Sequence, residues 1–162
     1  MPSPRSATDR YVVRLALPRD IGAVDVIERA CFSDPWSQQA LAEELERSTS
    51  YFLVAVAGAD SADETVVGYA IAHAAADEAE VANVAVAPSH RGQGIGAMLV
   101  RGVMDHVRGA GALDCWLEVR ASNTGARRLY AQLGFDDVGV RKRYYARPEE
   151  DAIVMRRSLR GA

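Results

Sequence analysis

At 162 residues the chain has the length of one globular domain, and two independently cored domains would be cramped within it. Apolar residues at 49% and charged residues at 25% exclude a wholly disordered chain. With 19 basic and 22 acidic residues, a formal charge of −3, bulk electrostatic attraction to nucleic acid is excluded too. Cys31 and Cys115 form neither a CxxC pair nor a zinc-type cluster, so reduced thiols and no metal are expected. The opening MPSPRSATDR lacks an apolar stretch, and no uncharged run approaches the roughly 20 residues that cross a bilayer. Neither export nor membrane insertion is expected, and the cytoplasm is the predicted location.

Residues 1–9 read as a flexible arm and 10–162 as one domain. YVVRLAL alternates as a strand does, and Pro18 breaks it before a helix carrying Ile21, Val24, Ile27 and Cys31. Asp34-Pro35-Trp36-Ser37 is a turn into a second helix, QQALAEELERS, with Ser37 as N-cap and Leu41 and Leu45 inward. YFLVAVAG is an apolar strand, and after the GADSADET loop come two more, VVGYAIAHA and EAEVANVAVA, around a polar AADE break. These three suit an antiparallel meander.

Pro88 ends the last of them, and RGQGIG leads into a helix with Ile95, Met98, Leu99, Val103 and Val107 at 3.6-residue spacing, stopped by Gly109 and Gly111. ALDCWLEVR is a strand with Cys115, Leu117 and Val119 on one face and Trp116, Glu118 and Arg120 on the other. Ser122 and Asn123 can cap a final helix whose apolar side is Ala126, Leu129, Tyr130 and Leu133, and Gly134 suits its left-handed C′ position. FDDVGVRKRYY and AIVMRRSL read as two last strands around a polar turn. With no repeat and no linker, the whole is one α/β domain with a mixed sheet.

Val84–Ala97, VAVAPSHRGQGIGA, places glycines between a strand and a helix start. Free N–H groups and the positive end of the helix dipole favour phosphate there, with Arg91 adding a charge. An NTPase loop needs Lys then Ser or Thr after the last glycine, where this chain has Ala97 and Met98. Gly92, Gly94 and Ala97 do satisfy the dinucleotide spacing, but four strand candidates precede them, and the parallel repeats of that fold are missing. A tight turn without a ligand and the pyrophosphate of coenzyme A both remain as readings.

The chain resembles the GNAT superfamily of acyl-CoA-dependent N-acyltransferases, whose phosphate-loop pattern is matched by Arg91, Gly94 and Gly96. ACFSDPWS (30–37), EVANVAVAPSHRGQGIG (80–96), WLEVRASNTGARRLYAQLGF (116–135) and RKRYY with EDAIVM (141–155) resemble the ribosomal-protein-alanine (RimI-like) branch from about residue 10 onward. Departures are a longer arm and Leu41 in place of an aromatic near PWS. The resemblance implies a mostly antiparallel sheet of about seven strands flanked by about four helices in three layers. It implies acetyl transfer from acetyl-CoA to the α-amine of a protein, a small-subunit ribosomal protein beginning with alanine. It also implies roles: Val84, Ala85 and Val86 offering backbone to pantetheine and thioester; Arg91, Gly92, Gln93, Gly94, Ile95, Gly96 and Ala97 cradling the pyrophosphate; and Asn123 touching coenzyme A. By the same resemblance Glu118 is the proton acceptor and Tyr130 the proton donor. No nucleic-acid contact and no metal are required, and transfer to lysine or a small amine, or coenzyme binding without catalysis, are the alternatives.

The chemistry suits these residue types. An α-amine with pKa near 8 is roughly 10% neutral at pH 7, against about 0.04% for lysine, so N-terminal acceptors need less help. A carboxylate at 118 could take the released proton and a phenol at 130 could protonate the departing sulfur, although a strand ion pair and a core aromatic would show the same spacing. Cys115, on the face opposite Glu118, reads as a small buried hydrophobe. His73, His90 and His106 show no ligand spacing; His106 reads as a core or boundary residue. Glu28, Asp34, Glu43, Glu44 and Glu46 could draw in a basic acceptor arm, but as a group they read as a solvated helix face. Arg141, Lys142 and Arg143 with Tyr144 and Tyr145 fit either strand alternation or an RNA grip.

Overall fold

The computed structural model describes Ser3 and residues 10–161, so the arm expected over 1–9 lies, apart from Ser3, outside the described residues. The chain runs β1 (Tyr11–Leu15), α1 (Ile21–Cys31), α2 (Gln38–Glu46), β2 (Ser50–Ala57), β3 (Thr65–Ala75), β4 (Glu78–Val86), α3 (Ile95–Gly109), β5 (Asp114–Arg120), α4 (Thr124–Gln132), β6 (Asp136–Ala146) and β7 (Glu149–Ser158). All the strands join one sheet in the order β1-β2-β3-β4-β5-β7-β6, and only β4 and β5 run parallel. This is the mixed, mostly antiparallel α/β architecture expected from the sequence.

Two apolar layers sandwich the sheet. Leu99, Val103 and Val107 of α3 and Tyr130 and Leu133 pack on Leu53, Ala70, Leu117 and Met155. On the other face Val24 and Ile27 of α1 and Leu41 of α2 pack on Phe52, Val54, Tyr69 and Ile71. Strand β2 therefore feeds both layers, which is why its sequence is a continuous apolar run rather than an alternation.

Local signals place the helix ends. The Ser37 side chain accepts the Ala40 N–H at 3.0 Å and Asn123 accepts that of Ala126 at 3.1 Å, each capping a helix start. Gly111 (φ +101°) and Gly134 (φ +91°) follow α3 and α4 in the left-handed region where a Cβ is costly. The polar break between β3 and β4 is shorter than AADE, only Ala76 and Asp77, with Ala76 itself at φ +55°. Strand β1 stops at Leu15, because Pro18 opens a 3₁₀ turn over Pro18–Asp20.

The β3–β4 register slips: Ile71 faces Asn83 but Ala72 faces Val81, so Ala82 is an inserted residue. The bulge switches the faces of β4. Ala79 and Val81 before it, and Val84 and Val86 after it, all reach the α3/α4 layer, while Ala82 and Ala85 reach the α1/α2 layer. Asn83 is thereby turned toward α1.

Two acids expected on a solvated face are buried instead. Glu28 is 1% exposed, and Glu44 faces His73 at 2.7 Å. Both sit on the inward stripe of their helix, where periodicity would place an apolar residue. His106 shows the opposite departure: it is exposed, with its ring centroid 5.8 Å from that of Tyr51.

The entry to α1 is held by a partly buried ion pair. Arg14 grips Asp20 with Nη1 to Oδ2 at 2.7 Å and Nη2 to Oδ1 at 2.9 Å, and Leu17 donates its N–H to Oδ2 at 2.7 Å. Burial pushes the Asp20 carboxyl up, but Arg14 and the Leu17 N–H outweigh it and hold the group below its ordinary 3.8. Replacing Asp20 by Asn should cost about 1–3 kcal/mol in urea unfolding near pH 7, because it removes the charge-assisted bonds from Arg14, which retains Glu64 at 2.6 Å as its other partner. The folded pKa is depressed, so the advantage over Asp20→Asn is complete above the unfolded pKa and should disappear as pH falls through the lower folded value.

Candidate active site

Strands β4 and β5 pair only from Glu78 opposite Asp114 to Val81 opposite Leu117. Both continue past that point, to Val86 and Arg120, without further ladder pairs between them. The sheet opens there into a cleft of about 660 Å³. Because side chains alternate along β5, Leu117 and Val119 stay in the α3/α4 core while Glu118, the first residue past the last ladder pair, lines the opening.

On one side of the cleft the chain turns into α3. Gly92 (φ +76°) and Gly94 (φ +82°) adopt the left-handed backbone the tight turn requires, and Gly94 caps the helix. Met98 N–H reaches the Gly94 carbonyl at 3.2 Å, closing the first turn, so the N–H groups of Ile95, Gly96 and Ala97 face out of the helix start. With the helix dipole they leave unpaired donors and a partial positive charge at this end of α3. A Cβ on Gly96 would meet Leu129 Cδ2 at 3.2 Å, so this glycine serves the close approach of α3 and α4.

Neighbouring side chains hold this loop. Tyr11 donates its hydroxyl to Gln93 Oε1 at 2.5 Å, tying the loop to β1. Arg91 turns its guanidinium back, Nε to the Val86 carbonyl at 3.3 Å and Nη2 to Cys31 Sγ at 3.2 Å, so its charge lies at the end of β4. Val84 and Asn123 line the cleft; the Asn123 oxygen is committed to the α4 cap, which leaves its Nδ2 to meet a ligand.

The other half of the cleft is acidic. Glu28, Asp34, Glu80 and Glu118 line it, opposed by Arg120, which suits the approach of a cationic amine. Glu118 accepts from Arg141 Nη1 at 2.5 Å. Tyr144 is pushed up to about 12, first by its hydrogen bond to Glu118 and then by burial. Burial likewise pushes Tyr130 up to about 12, so both phenols hold their protons across the physiological range. Arg120 fixes the β6–β7 turn by donating to the Arg147 and Pro148 carbonyls, each at 3.0 Å, and lies 4.2 Å over the Tyr145 ring. Ser33 reaches the same Arg147 carbonyl at 2.5 Å, bridging the acceptor end of the cleft.

Glu118, Tyr130, Val84 and Asn123 are thus brought to one cavity, with the glycine turn at the start of α3 beyond the end of β4. Glu28, Tyr144 and Tyr145 line the same cleft, and Arg141 reaches it through Glu118. Glu28 did carry a signal, since Val24, Ile27, Glu28 and Cys31 follow i, i+3, i+4, i+7 and a carboxylate on that stripe must find donors. Tyr144 carried none: a register irregularity between Arg141 and Tyr145, with Arg143 at φ +51°, decides its direction. Burial pushes the Cys115 thiol up to about 12, in keeping with an inert packing role. A more open groove of about 490 Å³ on the α3/α4 side has Asp105 as its acid, already paired with Arg108 at 3.5 Å.

A splayed parallel strand pair, a glycine turn feeding a helix N-terminus and an acidic wall thus meet at one end of the sheet. Residues 22–135 match the acetyltransferase (GNAT) family. The [ribosomal protein bS18]-alanine N-acetyltransferase of Salmonella typhimurium is 36% identical over 139 residues, 84% of this chain and 89% of that protein. The crystal structure of the ribosomal-protein-S18-alanine N-acetyltransferase from Escherichia coli superposes with a TM-score of 0.82 at 30% identity, covering 94% of this chain and 96% of that one. Arabidopsis thaliana NAA60 in complex with acetyl-CoA shares the fold alone, with a TM-score of 0.84 at 17% identity, over 93% and 99%. The chain belongs to the GNAT family and is an acetyl-CoA-dependent N-acetyltransferase.

The Glu118–Tyr144 contact can be read directly. Glu118→Gln should lower the Tyr144 titration from about 12 toward its ordinary 10 in a spectrophotometric or NMR titration, because an anion beside a phenol disfavours the phenolate. A value still near 12 would assign the whole displacement to burial.

Proposed function

We propose that the chain acetylates the N-terminal α-amine of a protein, and that its acceptor is a small-subunit ribosomal protein beginning with alanine, as for the relatives of that name. A ribosomal acceptor would place the enzyme in the cytoplasm; among the described residues no helix is long and apolar enough to cross a membrane. The observation that carries the reading is the position of Glu118, the first residue beyond the end of the β4–β5 ladder and on the acidic wall.

In this reading the N–H groups at the start of α3 and the turn from Arg91 to Ala97 hold the pyrophosphate. The edge of β4 at Val84, Ala85 and Val86, past its last pairing with β5, lies along the pantetheine arm and orients the thioester. An incoming α-amine meets the acidic wall, which favours its capture as a cation; the minority neutral form attacks the acetyl carbon. Glu118 takes the proton released as the C–N bond forms, directly or through water, contributing about 10²–10⁴ in rate. Tyr130, protonated at neutral pH, donates a hydrogen bond to the departing sulfur and returns a proton to it as the C–S bond breaks. Both products leave neutral at the reacting atoms. Arg141 orients the Glu118 carboxylate.

Purified protein with acetyl-CoA should acetylate a peptide beginning with alanine at its α-amine, read by mass spectrometry, in preference to a lysine side chain or a small amine. Glu118→Gln and Tyr130→Phe should each lower kcat by about 10²-fold or more while the acetyl-CoA Kd changes little. Undiminished turnover in both variants removes the catalytic assignment, and preference for lysine removes the acceptor assignment. Gly94→Val should weaken acetyl-CoA binding by about 10-fold in calorimetry, because a β-branched residue resists φ +82° at the helix cap.

A further inference from the structure

Glu28 is a carboxylate 1% exposed at the wall of the cleft, with no cation beside it among the described residues. Burial pushes its pKa up, against the hydrogen bonds from Trp36 and Asn83. A buried carboxylate is costly unless donors take its lone pairs. Three donors from three parts of the fold do so. The Trp36 backbone N–H reaches Oε1 at 2.9 Å, Asn83 Nδ2 reaches Oε2 at 2.9 Å, and the Tyr69 hydroxyl donates to Oε2.

The placement of these donors matters more than their number. Trp36 ends the loop that leaves α1 and walls the acceptor side of the cleft with Phe32 and Asp34. Asn83 stands on β4 just past the bulge, next to Val84, and its Nδ2 also lies 3.0 Å from the Tyr69 hydroxyl. One side chain therefore joins the acceptor wall to the strand that carries the thioester. Only a carboxylate offers acceptors on both sides, since an amide would aim N–H at either Trp36 or Asn83.

We infer that Glu28 is a positioning residue for the acceptor, setting the distance between the incoming nitrogen and the acetyl carbon by tying the Phe32–Trp36 wall to β4. The inference rests on the acyl-transfer reading above. Misplacement of reacting groups by a fraction of an ångström to 1 Å is enough to cost one or two orders of magnitude in rate.

Glu28→Gln keeps the length and loses one acceptor; Glu28→Asp keeps the charge and loses the reach. Both should lower kcat/KM for the alanine peptide by about 10-fold or more, with the acetyl-CoA Kd within about twofold of wild type. Hydrogen exchange at the Trp36 amide, measured with no acceptor present, should be about 10-fold faster in Glu28→Asp, while β5 amides keep their protection. Peptide kinetics like wild type, a parallel loss of acetyl-CoA affinity, or unchanged Trp36 exchange would each overturn the inference. Failure of the wild type to acetylate the peptide would count against the acceptor reading alone, because the Trp36 exchange still reads the tether.

Discussion

The site depends on one broken ladder. A parallel pair of strands satisfies its backbone by continuous hydrogen bonding, and here that bonding stops after Val81 and Leu117 while both strands run on. The divergence leaves the edge of β4 beyond Val81 without a strand partner on the β5 side. It also moves Glu118 from a sheet interior to a cleft wall. An intact ladder would leave no cleft between β4 and β5.

The residues around that break cooperate for identifiable reasons. The bulge at Ala82 turns Asn83 toward α1, where Glu28 accepts from it, so the irregular strand is pinned to α1 at the wall of the cleft. The β6–β7 turn is pinned from β5 by Arg120 and from the α1–α2 loop by Ser33, which brings Tyr144 and Tyr145 over the acidic half. Buried acids are expensive, and this fold keeps several by supplying each with donors: Asp20 from Arg14, Glu28 from Trp36 and Asn83, Glu44 facing His73. The division of labour matches the two substrates. Backbone amides at a helix start suit a diphosphate, and carboxylates suit an amine.

Much of this was legible in the chain. Ser37, Asn123, Gly111 and Gly134 act through residues one to four positions away, so their capping roles could be read from local pattern. The alternation in DCWLEVR assigned the face of Glu118 correctly, because β-strand periodicity is independent of partners. The acids of α1 and α2 were different. Glu28 and Glu44 resemble surface glutamates in composition, and what buries them is the arrival of Tyr69, Asn83 and His73 from strands far along the chain.

By itself the sequence determined the order of strands and helices, the glycine turn before α3, the faces of β5 and the family resemblance, since all of these rest on short-range periodicity, turn stereochemistry and motif. Only the tertiary structure decided where β4 and β5 part, which way β4 faces after its bulge, that Arg91 turns toward Cys31, and that Tyr144 meets Glu118. Those outcomes, with the Arg141–Glu118 pair, depend on strand register and on contacts between residues many positions apart. Hydrogen bonding across a sheet selects them, and no local propensity encodes them.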